Sequence, residues 1–312
     1  MRLIKPDTRI DFIGRRRFGY MLSAVLLLVS IGSLAVQQLE LGIDFTGGVV
    51  VEVGYPEAVE LNGVRNALAE GGFPDAVVTN YGSASDVLIR LPAPEGEDAA
   101  MTSDRILAAL EDANPDAEMR RIEFVGPQVG EELTNKGGLA LLYALIGILI
   151  YVMIRFHWKF SVGAVAALAH DVIITLGVFS LFRFEFDLTV LAALLAVIGY
   201  SLNDTIVIFD RIRENFRRMR KVEAIEVMNA SINQTLARTL MTGLTTLLVL
   251  LSLLLVGGEA MQGFAIALIA GVTIGTFSSI YTASALALAL DVTKEDLFPP
   301  KDDEEGAKSS EV

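Results

Sequence analysis

Six stretches of this chain, at 18–37, 138–154, 160–182, 188–209, 237–256 and 264–290, are apolar over the length a helix needs to cross a hydrocarbon layer of about 30 Å. Nothing constrains the fold more. With a mean hydropathy of +0.52 and 20% charged residues in 312, the chain is too apolar for an ordinary soluble protein of its size. The pattern predicts a polytopic α-helical membrane protein with six transmembrane helices. What remains is a basic start at 1–17, a loop at 38–137, a basic loop at 210–236 and an acidic tail at 291–312.

Lysine and arginine beside the spans set the expected orientation. Six precede the first span, Arg155 and Lys159 lie in a short loop, and six more fall in "DRIRENFRRMRK" at 210–221. These segments alternate along a six-span chain, which predicts both termini in the cytoplasm and the large loop outside. The basic start, apolar run and "SLA" at 33–35 also resemble a cleavable signal peptide. The run of about 19 residues exceeds the usual signal core of about 7 to 15, which favours an uncleaved anchor.

The 38–137 loop carries 19 acidic and 6 basic residues, a balance that argues against a nucleic-acid partner. In it, Val49, Val51 and Val53 alternate as on a strand after the Gly47-Gly48 pair. Val59, Leu61, Val64, Ala67 and Leu68 then recur at helical spacing until Gly71-Gly72. "AVVTNY" and "VLIRL" read as strands, "SDRILAALEDANP" as a helix capped by Ser103, and "AEMRRIEFVGP" as a last strand. The order βαββαβ predicts an α+β ferredoxin-like domain between the first two helices. Asp44 reads as a turn or capping residue rather than a ligand.

Three ionisable residues interrupt the spans. Asp204 lies about 9 Å from the cytoplasmic end of the fourth, Asp171 sits beside His170 in the third, and Arg238 begins the fifth. Such residues normally face a partner or a water-filled path. Arg238, Thr242, Thr245 and Ser252 form a polar stripe, flanked by Gly243; Gly271, Gly275, Ser278 and Thr282 form a small-residue face; Gly199 and Asn203 share a face beside Asp204. These faces predict a bundle interior where Asp204 meets Arg238. The bland readings are close packing for the glycines and snorkelling of Arg238 to the interface. With no cysteine, two histidines and no phosphate-binding G-x-x-x-x-G-K-[ST] loop, no metal site, thiol chemistry, nucleotide or other cofactor is expected.

The segments "GIDFTGGV", "RIEFVGPQVGEEL", "ALAHDVIITLG", "IGYSLNDTIVIFDRIRENFR", "QTLARTLMTG" and "GVTIGTFSSIYTASALAL" resemble the SecF family of the bacterial SecD/SecF translocation complex, related to the resistance-nodulation-division transporters. The likeness runs from the first span to about Leu290; the acidic tail lies outside it. It implies a non-enzymatic inner-membrane subunit that works with SecD and YajC beside the SecYEG channel and uses proton or sodium flow to help preproteins complete export. It also implies that the family's membrane aspartate and arginine are Asp204 and Arg238, with Asn203 and Asp171 at further motif positions. The competing functions are half of a small-molecule or lipid exporter of the resistance-nodulation-division type and a passive translocon scaffold.

Overall fold

Helix α1 (Arg16–Val36) leads through strand β1 (Glu40–Leu41) and one-turn helix α2 (Ile43–Thr46) into a small domain in the computed structural model, which describes residues 9–92, 99–219 and 222–293. The first eight residues of the basic start, Arg220, Lys221 and the tail from 294 onward lie outside the described residues.

The domain comprises β2 (Gly48–Gly54), α3 (Leu61–Glu70), β3 (Val77–Tyr81), β4 (Ser83–Leu91), α4 (Ala99–Ala113) and β5 (Glu118–Val125). Its sheet order, β3-β4-β2-β5 with antiparallel neighbours, is the expected ferredoxin-like arrangement. Strand alternation sends Val49, Val51 and Val53 to one face. There they meet Val87, Ile89 and Leu91 across the register, under Val64 and Leu68 of α3 and Ile106 and Leu110 of α4. Helix α4 starts at Ala99, so Ser103 lies inside it rather than capping it. Ala99, Ala100 and Met101 are strong helix formers and extend the helix backwards.

The other sheet face, with Val50, Glu52, Leu88, Arg90 and Glu123, overlooks the ends of the membrane helices across a cleft of about 500 Å³. Helix α5 (Pro127–Arg155) starts directly after β5, with proline at its first position. Its first eleven residues are too polar to read as span, though they are helical. Next come α6 (Trp158–Phe182), β6 (Glu185–Phe186), α7 (Leu188–Arg218) and α8 (Ala224–Val256). The last span is composite: a 3₁₀ turn (Glu259–Met261), α9 (Gln262–Ser278), a π-turn (Ser279–Ala283) and α10 (Ser284–Ala289).

Most of the expected basic loop at 210–236 is therefore helix. Hydropathy marks where a helix leaves the apolar layer, not where it ends. Glu214 pairs with Arg211 and Arg218 on α7, and Asn215 donates to Ser231 and Gln234 of α8, so the two extensions hold each other. The segment before α1 is tied here too. Asn233 and Asn229 accept from the amides of Ile10 and Ile13. The Asp11 carboxylate accepts from the Gly14 amide and from Asn229, which holds its carboxyl below the ordinary range.

Helices α6, α7 and α9 form the inner row of the bundle, while α1, α5 and α8 leave most of their apolar surface outside. Phe160 and Phe209 pack at 4.6 Å in the α6–α7 core. On the α7–α9 seam, a Cβ at Gly271 would lie 2.2 Å from Val197, so only glycine allows this approach.

The domain is fastened to the bundle by a strap. β1 pairs in parallel with β6, Phe45 stacks on Phe186 at 5.5 Å, and the Asp44 carboxylate accepts from the Leu188 amide at 3.0 Å. Asp44 is thus a capping residue, as expected, and it caps the start of α7 alongside Asp187, which accepts from the Val190 amide. Gly47 and Gly48, at φ +71° and +144°, turn the chain into β2 where a side chain would strain the backbone. Arg90 pairs with Glu185 across the cleft. Even so, burial pushes the Glu185 carboxyl up against the pull of Arg90, helped by the nearby charges of Asp187 and Asp44.

Candidate functional site

The inner row buries two aspartates, and the chain treats them differently. Asp171, on α6, is 0% exposed. Its Oδ2 accepts from the hydroxyls of Ser201 on α7, at 2.6 Å, and Ser278 on α9, at 2.8 Å. Its Oδ1 lies 3.0 Å from Nδ1 of His170. Gly275 makes room for this meeting: a Cβ there would stand 2.9 Å from that of Ser201 and 3.5 Å from Asp171 Oδ2. One turn further along, Thr205 and Ser279 share a hydrogen bond of 2.8 Å, Ser279 also donates to the Ser201 carbonyl of α7, and Ser284 donates to the Ser279 carbonyl of the π-turn. Single-turn π segments inside helices are frequent at functional sites. A row of hydroxyls thus joins α6, α7 and α9 around one carboxylate.

Asp204, 3% exposed, follows on α7. Its Oδ2 has no hydrogen-bond partner among the described residues, and the same holds for Tyr200 Oη, Thr239 Oγ1 and His170 Nε2. Ser161 Oγ on α6 is a fifth such atom in the bundle; buried polar atoms without partners are costly and rare. Among the described residues no cluster of His, Asp and Glu is large enough to hold a metal ion.

The expected partners Asp204 and Arg238 stand near each other without a direct bond. The charge of Arg238 reaches Asp204, but no ion pair forms between them, and Arg238 is exposed. It lies with Thr245 and Ser252 on the outward face of α8, whereas Asp204 is turned into the bundle. Asn203 and Gly199 are exposed too. With Ala192 and Ala196 they form an outward stripe of small and polar groups on α7.

Among the described residues, a Cβ at Gly199 would therefore meet nothing within 4 Å, and one at Gly243 would meet Thr276 at an ordinary 3.6 Å. Gly271 and Gly275 are the close-packing positions. Helical spacing identifies a stripe but not the direction it faces; α7 and α8 meet instead through residues such as Ile208, Ile212, Val227 and Ile232. Sequence reasoning left Ser201 out altogether. A serine in an apolar run carries no signal until its acceptor, thirty positions away, is brought beside it.

The geometry agrees with the comparisons. Residues 105–293 match the family model of the protein export membrane protein SecD/SecF, C-terminal region, and residues 32–55, which include Gly47-Gly48, match the SecD/SecF GG motif. The protein translocase subunit SecF of Vibrio alginolyticus is 51% identical over 311 residues, covering 99% of each chain. That of Pseudomonas aeruginosa is 49% identical over 94% of this chain and 95% of its own. The crystal structure of SecDF, a translocon-associated membrane protein from Thermus thermophilus, superposes with a TM-score of 0.83 at 40% identity over 91% of this chain; the present chain spans 39% of that one. Six membrane helices around buried aspartates, one ferredoxin-like domain and near end-to-end identity with these subunits place this chain in the SecF family of protein translocase subunits, with an accessory role in protein translocation.

Proposed function

We propose that this chain is the SecF half of an ion-driven export machine in the bacterial inner membrane. Its termini are cytoplasmic and its α+β domain periplasmic, as the flanking lysines and arginines suggest. It works with SecD, beside SecYEG and with YajC, and uses the proton or sodium motive force to complete preprotein export without catalysing a covalent reaction. Asp204 is the ion-binding carboxylate, Arg238 its switchable counter-charge, and Asn203 and Asp171 belong to the same pathway.

The observation that carries this reading is the pairing of two incomplete features. Asp204 is buried with a bare oxygen, and beside it α7 and α8 turn Asn203, Arg238 and Thr245 outward at membrane depth. Polar groups facing lipid are expensive, so this surface calls for a second polar bundle. Closure of that bundle brings Arg238 onto Asp204, and opening exposes Asp204 to solvent.

Two measurements test it. Asp204→Asn and Arg238→Ala should each lower preprotein export under an imposed ion gradient by at least about tenfold; wild-type export at normal expression would remove the ion-pathway role. The chain has no cysteine, so Gly199→Cys reports its neighbour cleanly. It should cross-link to SecD in membranes, and a cross-link to lipid-facing probes alone would show that this stripe is not the subunit interface.

A further inference from the structure

The mechanism above leaves one buried base unused. His170 is 4% exposed, its Nδ1 faces Asp171, and its Nε2 has no partner among the described residues. We propose that His170 and Asp171 form a second proton-binding site of the bundle, with the transported proton carried on His170 Nε2. This rests on the reading that the spans conduct protons.

The hydrogen bonds determine where the protons are. Ser201 donates to Asp171 Oδ2 at 2.6 Å, and the Ser278 hydroxyl, 2.8 Å from the same oxygen and 3.2 Å from the Gly275 carbonyl, shares its one proton between them; in the assignment proposed here Oδ2 accepts from both serines and carries no proton. Oδ1 and Nδ1 stand 3.0 Å apart, a separation two bare acceptors do not keep, so one proton lies between them. In the unloaded dyad this is the Nδ1 proton of a neutral imidazole, Asp171 is a carboxylate, Nε2 is a bare lone pair, and the net charge is negative.

Loading adds one proton. A hydronium ion gives it to Nε2, an N–H bond forms, water is released, and the dyad becomes neutral. Whether the shared proton then sits on Nδ1 or on Oδ1, Nε2 carries hydrogen in both forms. Release reverses the step.

Loading is felt by the helices. Hydrogen bonds to a carboxylate are about twice as strong as those to a neutral acceptor. The unloaded dyad therefore grips Ser201 and Ser278 firmly, tying α7 and α9 to α6, and the loaded dyad relaxes that grip in the form whose shared proton sits on Oδ1, where Asp171 is neutral. On the elements packed against α6, the titratable groups within the apolar stretches are Tyr20 on α1, Tyr143 and Tyr151 on α5, Tyr200 and Asp204 on α7, and Tyr281 on the π-turn. None of them is recorded in a hydrogen bond to the dyad. The chain's other histidine, His157, stands just before the first residue of α6, at the far end of the helix.

The test uses ¹⁵N-histidine-labelled full chain with its partner in lipid bilayers, His170→Gln serving to assign the two rings. At alkaline pH the His170 spectrum should show the Nδ1–H tautomer, and acidification should add the Nε2–H signal in one step. Asp171→Asn keeps an acceptor for Nδ1–H but removes the charge, and at the pH where the wild-type Nε2–H signal is half developed it should show at least about fivefold less of that signal. An Nε2–H tautomer at every pH, or a wild-type spectrum unchanged across the range, overturns the proposal without any variant having to fold. The outcome is separable from the Asp204 reading. A silent His170 with export lost in Asp204→Asn defeats only the dyad, and a titrating His170 with normal export in Asp204→Asn defeats only the Asp204 pathway.

Discussion

The two buried aspartates sit on neighbouring helices of one bundle and have opposite surroundings. Asp171 finds partners for both oxygens within the chain, on three inner helices. Asp204 lies toward α8 and keeps a bare oxygen beside a face of exposed polar groups. The contrast separates two roles a membrane carboxylate can have. A fully bonded one specifies how helices pack, because its loss strands several donors. An unpartnered one contributes little to packing and leaves its chemistry open to what arrives from outside the chain.

The predictions follow this contrast from the largest effect to the smallest. Gly271→Leu drives a side chain into Val197 and should destabilise the α7–α9 seam by more than about 3 kcal/mol, read as loss of monodisperse protein in detergent; normal stability would mean that the seam does not hold the Asp171 network together. Asp171→Ala should cost about 2–4 kcal/mol, because two hydroxyls lose their acceptor. Asp204→Asn should change stability by less than about 1 kcal/mol, and equal thermal shifts for the two would erase the distinction.

Ser201→Ala should cost about 1 kcal/mol. It should couple to Ser278→Ala in a double-mutant cycle, since both share Asp171 Oδ2. The smallest effect belongs to Glu185, an intermediate case with an ion-pair partner in a part-buried cleft. Its carboxyl titrates above the ordinary 4.5, so the folded state holds this proton more tightly than the unfolded chain. Its contribution is fully present at acid pH and declines as pH rises above about 4.5. Glu185→Gln should flatten that slope in a thermal-unfolding series, and an unchanged slope would assign it to other groups.

Much of this was legible in the sequence, for reasons particular residues make plain. Val49, Val51 and Val53 alternate and are bounded by glycines, so the strand and its inner face were readable. Apolar length marked the six spans, and a carboxylate in an apolar run drew attention to Asp171 and Asp204. Direction was not legible. The stripe through Arg238 and Thr245 has the same spacing as the one through Gly271 and Gly275, yet one faces out and the other in, because packing depends on what the neighbouring helices present. The two-residue β1–β6 pairing and the π-turn leave no periodicity at all. Helix beyond the membrane, at 210–218 and 224–236, needs no apolar run and so escaped a hydropathy reading.

The strap at Asp44 has a mechanical consequence. It clamps the foot of the domain to Leu188, and from there α7 runs unbroken past Asp204, sixteen residues or roughly 24 Å along the axis. Beside this stiff rod, the last span is interrupted by five residues of wider winding at Ser279–Ala283, joined to α7 by the Thr205–Ser279 bond. A stiff member and a compliant one that are joined side by side share relative displacement unequally, and the wider winding takes the larger part. Any tilt of the domain would reach the level of Asp204 through the stiff rod and be taken up by the helix opposite, an asymmetry expected to show as faster amide exchange at Ser279–Ala283 than at Leu202–Thr205.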